Sequence, residues 1–172
     1  MKIVTTPMCE EIVKIARITD YAVNKHPSKE DGDFAILLSE SKVDMDCLSI
    51  KLNTSSQIFE SIKEVCKTVG NDLSDDEIRS HFKDYELACK YLNSEYERDV
   101  DVKVYSDFLK DIVLDVGFNI VSENPDFVIY PDYLKEKVME SNDLVEIPSH
   151  SGVSKNPFER IEARYAILEN LI

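Results

Sequence analysis

The sequence predicts an α/β fold whose strands are largely parallel. Short runs rich in Val, Ile and Phe alternate along the chain with segments of helical period, which is the pattern of parallel β/α proteins. Most of the helical segments also begin with a recognisable capping sequence. With 172 residues, 43% of them hydrophobic, we expect residues 1–172 to form a single compact unit.

The first part of the chain begins with a strand and a helix. The apolar run at residues 2–5 predicts the strand, and Thr6 and Pro7 supply the N-cap and first-turn proline of the helix. A second helix is predicted from the capping sequence at 54–57 to Gly70, since glycine is the usual residue just beyond a helix end. Three further strands are predicted at 20–24, 33–39 and 47–52.

The longest predicted element is a helix over residues 74–97. It begins with a capping box, and its apolar residues follow a heptad. At ~1.5 Å per residue such a helix is ~36 Å long. It is expected to be a core or crossover helix, with a coiled-coil seam between two copies of the chain as the alternative. The apolar stripe consists of Ile78, Phe82, Tyr85, Cys89, Leu92 and Tyr96.

The second part of the chain repeats the order of the first. We predict two similar halves, residues 1–70 and 100–155, joined by the 74–97 helix and followed by a C-terminal helix over 156–172. This organisation resembles that of substrate-binding proteins in which two small α/β lobes hinge on one helix and trap a ligand. The chain carries no motif specific to that class.

Composition excludes several kinds of partner. The chain has 34 acidic and 20 basic side chains, for a net charge of -14, which argues against nucleic acid and anionic membranes. The N-terminus lacks the apolar core of a signal peptide, so a cytoplasmic protein is expected. The four glycines are far apart, which excludes a phosphate-binding loop or a dinucleotide fingerprint. The four cysteines and three histidines are scattered, so we expect no metal site and no cofactor.

Cationic groups converge near the C-terminus. Arg160 and Arg164 lie one turn apart on a half-buried flank of the last predicted helix, where they would clamp a carboxylate or phosphate. Ligands of parallel sheets collect beyond the carboxyl ends of the strands, and small hydroxyl residues recur there. As alternatives, the hydroxyl residues are helix N-caps and the arginines pair with acidic neighbours. The candidate ligand-binding residues are Thr5, Thr6, Ser39, Ser149, His150, Ser151, Lys155, Arg160 and Arg164.

Three functions remain compatible with these residues. The leading hypothesis is a non-catalytic binding or accessory protein that holds an anionic small molecule or an acidic segment of a partner protein. The first alternative is an enzyme acting on a phosphate- or carboxylate-bearing small substrate, with His150 as general acid or base. The second is a protein–protein scaffold that forms a homodimer through the 74–97 helix.

Two terminal stretches, MKIVTTPMCEEIV and IPSHSGVSKNPFERIEARYAILE, resemble an uncharacterised family, the methanogenesis marker proteins of methanogenic archaea. The resemblance covers about a fifth of the chain. It implies a cytoplasmic accessory role in methane metabolism, and it assigns no activity to any residue.

Overall fold

The computed structural model describes residues 1–139, 143–149 and 151–172. These residues form two four-stranded sheets in which every neighbouring pair of strands is parallel, so the predicted α/β fold is confirmed. The first sheet has the order β2-β1-β3-β4. Its strands are β1 (Ile3–Thr5), β2 (Tyr21–Val23), β3 (Phe34–Leu38) and β4 (Cys47–Ile50).

The second sheet has the corresponding order, β6-β5-β7-β8. Parallel β/α units share this order without sharing an ancestor, so the two predicted repeat halves stay a prediction. The strands of the second sheet are β5 (Asp101–Val104), β6 (Asn119–Ile120), β7 (Phe127–Pro131) and β8 (Asp143–Ile147).

Six α-helices and one 3₁₀ helix (Asp132–Lys137) accompany the sheets in the described part of the chain. One hydrophobic core extends across both sheets, since Ile36 of β3 and Ile129 of β7 belong to the same buried cluster as Ile62 and Tyr165 from the helices. Among the described residues, no helix is both long and apolar enough to cross a bilayer. The helices are α1 (Glu10–Ile15), α2 (Ser55–Val69), α3 (Asp75–Ser80), α4 (Glu86–Asn93), α5 (Asp107–Asp115) and α6 (Pro157–Glu169).

The prediction of one continuous helix over 74–97 is wrong. Residues 74–97 instead contain two short helices, α3 and α4, separated by a series of turns. A contact distant in sequence explains the break: the carboxylate of Glu162 on α6 accepts hydrogen bonds from the backbone N–H groups of Leu87 (3.0 Å) and Ala88 (2.7 Å). These N–H groups have no acceptor within their own helix, so the carboxylate stabilises a new helix start.

The break also changes which residues of α4 are buried. Ala88 and Tyr91 face the core, one position before the predicted Cys89 and Leu92. Phe82 is completely buried, with its ring 4.9 Å from that of Phe158 on α6. The continuous seam proposed for a homodimer is therefore absent, and dimerisation itself stays a prediction.

The predicted start of the first helix at Thr6 and Pro7 is wrong. Residues 7–9 form a turn, closed by a hydrogen bond from the backbone N–H of Cys9 to the carbonyl of Thr6 (3.0 Å), and α1 begins at Glu10 with Cys9 as its N-cap.

The predicted start and end of α2 and the predicted start of α3 are found where their capping residues stand. Thr54 accepts a hydrogen bond from the backbone of Gln57, and Ser74 and Glu77 form the reciprocal capping box of α3. Gly70 ends α2 with a φ of 75°, a left-handed conformation that glycine adopts without a steric penalty.

Candidate functional site

The carboxyl ends of both sheets meet at a cavity of about 240 Å³. Such a position, beyond the carboxyl ends of parallel strands, is where ligands bind to α/β sheets. Segments that follow strands of both sheets line this cavity, together with two side chains of α6. The lining residues are Met8, Leu38, Glu40, Leu52 and Asn53 from the first sheet's side, Phe108, Tyr133 and Ser149 from the second, and Arg160 and Arg164 from α6.

Arg160 is held by the segment that precedes its own helix. The side chain is only 4% exposed, although it carries a full charge. Its Nη1 donates to the backbone carbonyl oxygens of Ser154 (3.1 Å) and Lys155 (3.3 Å), and the Met8 sulfur lies 3.6 Å away. These contacts fix one edge of the guanidinium against the turn before α6.

Arg164 is held by the segment after β8. It is 5% exposed, its Nε donates to the carbonyl oxygen of Pro148 (3.3 Å), and its Nη2 donates to that of Ser149 (3.1 Å). The guanidinium carbon lies 5.3 Å from the centre of the Phe108 ring, a cation–π arrangement. Arg164 thus joins α6 to the end of the second sheet and presents a fixed face to the cavity.

Neither guanidinium has an ionic partner in the described part of the chain, so the ion pairs considered as an alternative are not found there. Nε and Nη2 of Arg160 and Nη1 of Arg164 also lack a hydrogen-bond acceptor among these residues. No fully buried side-chain nitrogen in residues 1–139, 143–149 and 151–172 is without a partner. The three free nitrogens therefore contact solvent, and the cavity is the space that both side chains line.

Burial and mutual repulsion both act against the charge on these arginines. Burial lowers the pKa of Arg164 to about 10, and the nearby charge of Arg160 acts in the same direction. Burial also lowers the pKa of Arg160. The charges of Asp132 and Glu40 oppose this effect on Arg164 without forming an ion pair with it. Two buried like charges that are only partly compensated are unfavourable, so an added negative charge would stabilise this cavity.

Glu40 brings a negative charge to the rim of the same cavity. It follows β3, is exposed, and lies close enough to raise the pKa of both arginines, although it is beyond ion-pairing distance of either. Its carboxylate accepts a hydrogen bond from the hydroxyl of Ser39 at 3.5 Å. A gap therefore separates the carboxylate from the two guanidiniums.

Three of the residues predicted from the sequence line the cavity: Ser149, Arg160 and Arg164. The hydroxyl of Ser149 donates to Asp132 at 2.5 Å, so its proton is already engaged. Ser151 and Lys155 are exposed and do not line the cavity, although the carbonyl of Lys155 holds Arg160.

The remaining predicted residues belong to the surroundings of the cavity. Thr5 is buried within the first sheet, where its hydroxyl donates to the carbonyl of Ile36 at 2.8 Å, and Thr6 is also buried. Ser39 is exposed beside Glu40 and is not a lining residue. His150 lies outside the described residues.

The apolar wall of the cavity and Glu40 were not predicted from the sequence. Hydroxyl groups were expected at the strand ends, whereas Leu38 and Leu52 stand at two of those ends and Phe108 opens the helix after β5. Glu40 directly follows Ser39, so the signal that selected the serine applied equally to its neighbour. The rule that ligands bind at strand ends therefore led to this cavity, and the choice of residue type was too narrow.

A wider groove of about 600 Å³ lies elsewhere, lined by Thr54, Tyr96 and a group of acidic residues. It is more open to solvent than the arginine-lined cavity. Acidic groups on an open surface are hydrated and need no ligand. We therefore take the smaller, more enclosed cavity as the functional site.

The fold is similar to those of several solved proteins that are described as metal-binding, metal-dependent or zinc-bound. A periplasmic metal-binding protein of Candidatus Liberibacter asiaticus is 7% identical, with a TM-score of 0.58 over 99% of each chain. The metal-dependent lipoprotein YcdH of Bacillus subtilis is 11% identical, with a TM-score of 0.56 over 99% of this chain and 98% of its own. A zinc-bound variant of AdcAII from Streptococcus pneumoniae is 13% identical, with a TM-score of 0.55 over the same shares. At these identities the similarity shows the fold alone.

No family model and no curated protein sequence matches the chain. The resemblance to the methanogenesis marker proteins and the cytoplasmic location therefore stay predictions from the sequence.

Proposed function

We propose that this protein is a non-catalytic binding protein that holds a small anion in the cavity between its two sheets. The observation that supports this most strongly is the pair of buried guanidiniums, Arg160 and Arg164, which line the cavity without a carboxylate partner in the described part of the chain. A carboxylate or phosphate in the cavity supplies the missing charge and accepts from the free N–H groups.

A metal ion is the cargo suggested by the names of the similar structures, and the lining residues do not fit it. Two buried guanidiniums repel a divalent cation, which needs several anionic or neutral donor groups of its own. Within the described ranges there is no group of three or more His, Cys, Asp and Glu side chains able to hold a metal ion. The proposed ligand is therefore an anion.

The thiol of Cys9, next to the lining residue Met8, is not an activated nucleophile. Cys9 is completely buried, and burial raises the pKa of its thiol to about 11, so the thiol stays protonated at neutral pH. Catalysis with His150 as acid or base stays a prediction from the sequence.

The proposal predicts that small anions stabilise the protein. At a ligand concentration about 100 times the Kd, binding adds about 2.7 kcal/mol of stability. For a domain of this size that raises Tm by about 5–10 °C. The measurement is thermal unfolding with increasing sodium acetate or inorganic phosphate at constant ionic strength, with ZnCl₂ and MnCl₂ as separate series.

Two variants test whether the anion-dependent rise in Tm comes from binding in the arginine-lined cavity. Arg164→Lys keeps a charge but loses the planar pair of donors, so the anion-dependent rise in Tm is expected to fall by more than half. Arg98→Lys, at a part-buried arginine away from the cavity, is expected to leave it unchanged. A saturable rise in Tm with zinc or manganese, and none with either anion, contradicts the proposal.

A further inference from the structure

We infer that the ligand is a small zwitterion of the amino-acid type, with its carboxylate on Arg160 and Arg164, its ammonium on Glu40 and its aliphatic part on the apolar wall. This inference rests on the proposed function and specifies the chemistry of the same cavity.

The arginine side of the cavity suits a carboxylate. Three nitrogens of two guanidiniums present N–H groups that have no acceptor among the described residues. A carboxylate offers two oxygens in one plane and binds guanidinium groups through paired hydrogen bonds. Because backbone carbonyls and the Phe108 ring already fix both side chains, little conformational entropy is lost when the carboxylate binds.

Glu40 disfavours negative charge at its own end of the cavity. Its carboxylate lines the same cavity, so a second negative charge on the ligand is repelled at that end. It influences both arginines electrostatically without forming an ion pair with either, which leaves space between the opposite charges. A ligand with a negative and a positive end fits this arrangement, because each end meets the opposite charge.

The size and lining of the cavity limit the rest of the ligand. Leu38, Leu52 and Phe108 provide an aliphatic and aromatic wall in the same cavity. The cavity of about 240 Å³ equals the volume of roughly eight water molecules at ~30 Å³ each. That volume suits an amino acid with a short aliphatic side chain rather than a nucleotide or a peptide.

The experiment compares pairs of compounds that differ only in the amino group. Binding of L-leucine and of 4-methylpentanoate, and of glycine and of acetate, is measured by isothermal titration calorimetry at pH 7. In at least one pair the amino acid is expected to bind about tenfold more tightly, the effect of one charge-assisted hydrogen bond. Glu40→Gln is expected to abolish this preference while carboxylate binding remains. Glu64→Gln, an exposed carboxylate on α2 that does not line the cavity, is the matched control and should retain the preference.

The outcomes separate this inference from the proposed function. If each carboxylic acid binds as tightly as its amino-acid partner, or Glu40→Gln keeps the preference, the zwitterion is ruled out and the anion site stands. If inorganic phosphate binds and none of the four compounds does, the inference is again overturned while the anion site stands. If neither phosphate nor any carboxylate binds, both proposals fail.

Discussion

The charges of Arg160 and Arg164 lower the stability of the protein when no ligand is bound, because each side chain is more than nine-tenths buried and each repels the other. Backbone carbonyls satisfy only some of their donors. A carbonyl oxygen is a dipole, so it offsets less of a buried charge than a carboxylate does. The fold keeps these residues in place of apolar ones of similar volume, as expected if they act on a ligand.

Because Arg164 carries a buried charge that is only partly compensated, we expect Arg164→Met to have little effect on stability when no anion is present. The variant loses two hydrogen bonds, worth about 1 kcal/mol each, and is relieved of a buried charge, so the free energy of unfolding changes by less than about 1 kcal/mol. Urea unfolding in an anion-poor buffer measures it.

The matched control is Arg98→Met, because Arg98 lies 3.7 Å from the carboxylate of Glu169 and a paired arginine should cost more to remove. A loss of about 3 kcal/mol or more for Arg164→Met, as for a broken buried ion pair, means that the arginine is structural.

Local sequence signals predicted most of the helices and strands. They did not predict the break between α3 and α4, which depends on a contact distant in sequence. The start of α3 at Ser74 and the end of α2 at Gly70 follow from residues within one turn. The segment between α3 and α4 contains no glycine or proline, and the heptad pattern of apolar residues continues through it. The break depends on Glu162, which lies 75 positions after Leu87 and 74 after Ala88. The local periodicity of the sequence cannot reveal such a contact.

The role of Glu162 predicts a specific loss of stability. Glu162→Ala leaves two N–H groups at the start of α4 without their acceptor, which should lower the free energy of unfolding by about 1–2 kcal/mol. Glu162→Gln keeps one acceptor oxygen and should lose about half as much. Urea unfolding of both variants measures the difference. Equal stability of the alanine variant and the wild type would show that another contact separates the two helices.

At the scale of the whole molecule, two parallel sheets share one core and direct their carboxyl ends to one cavity. The sequence predicted the parallel strands and selected two arginines that line this cavity. It did not predict that Leu38, Leu52 and Phe108 form the wall, because that depends on how the two sheets face each other. For the same reason, the sequence did not predict that Glu40, after the third strand, lines the same cavity as the two arginines of the last helix.

The most direct test of the anion site is to observe the two guanidiniums during ligand addition. The ¹H–¹⁵Nε signals of the arginines are recorded by NMR during titration with L-leucine, acetate and inorganic phosphate, and are assigned with Arg160→Lys and Arg164→Lys. We expect the signals of Arg160 and Arg164 to shift saturably with at least one of these compounds while that of Arg98 stays constant. If both signals remain unchanged at every concentration of all three compounds, the cavity binds neither carboxylate nor phosphate groups and the central claim is wrong.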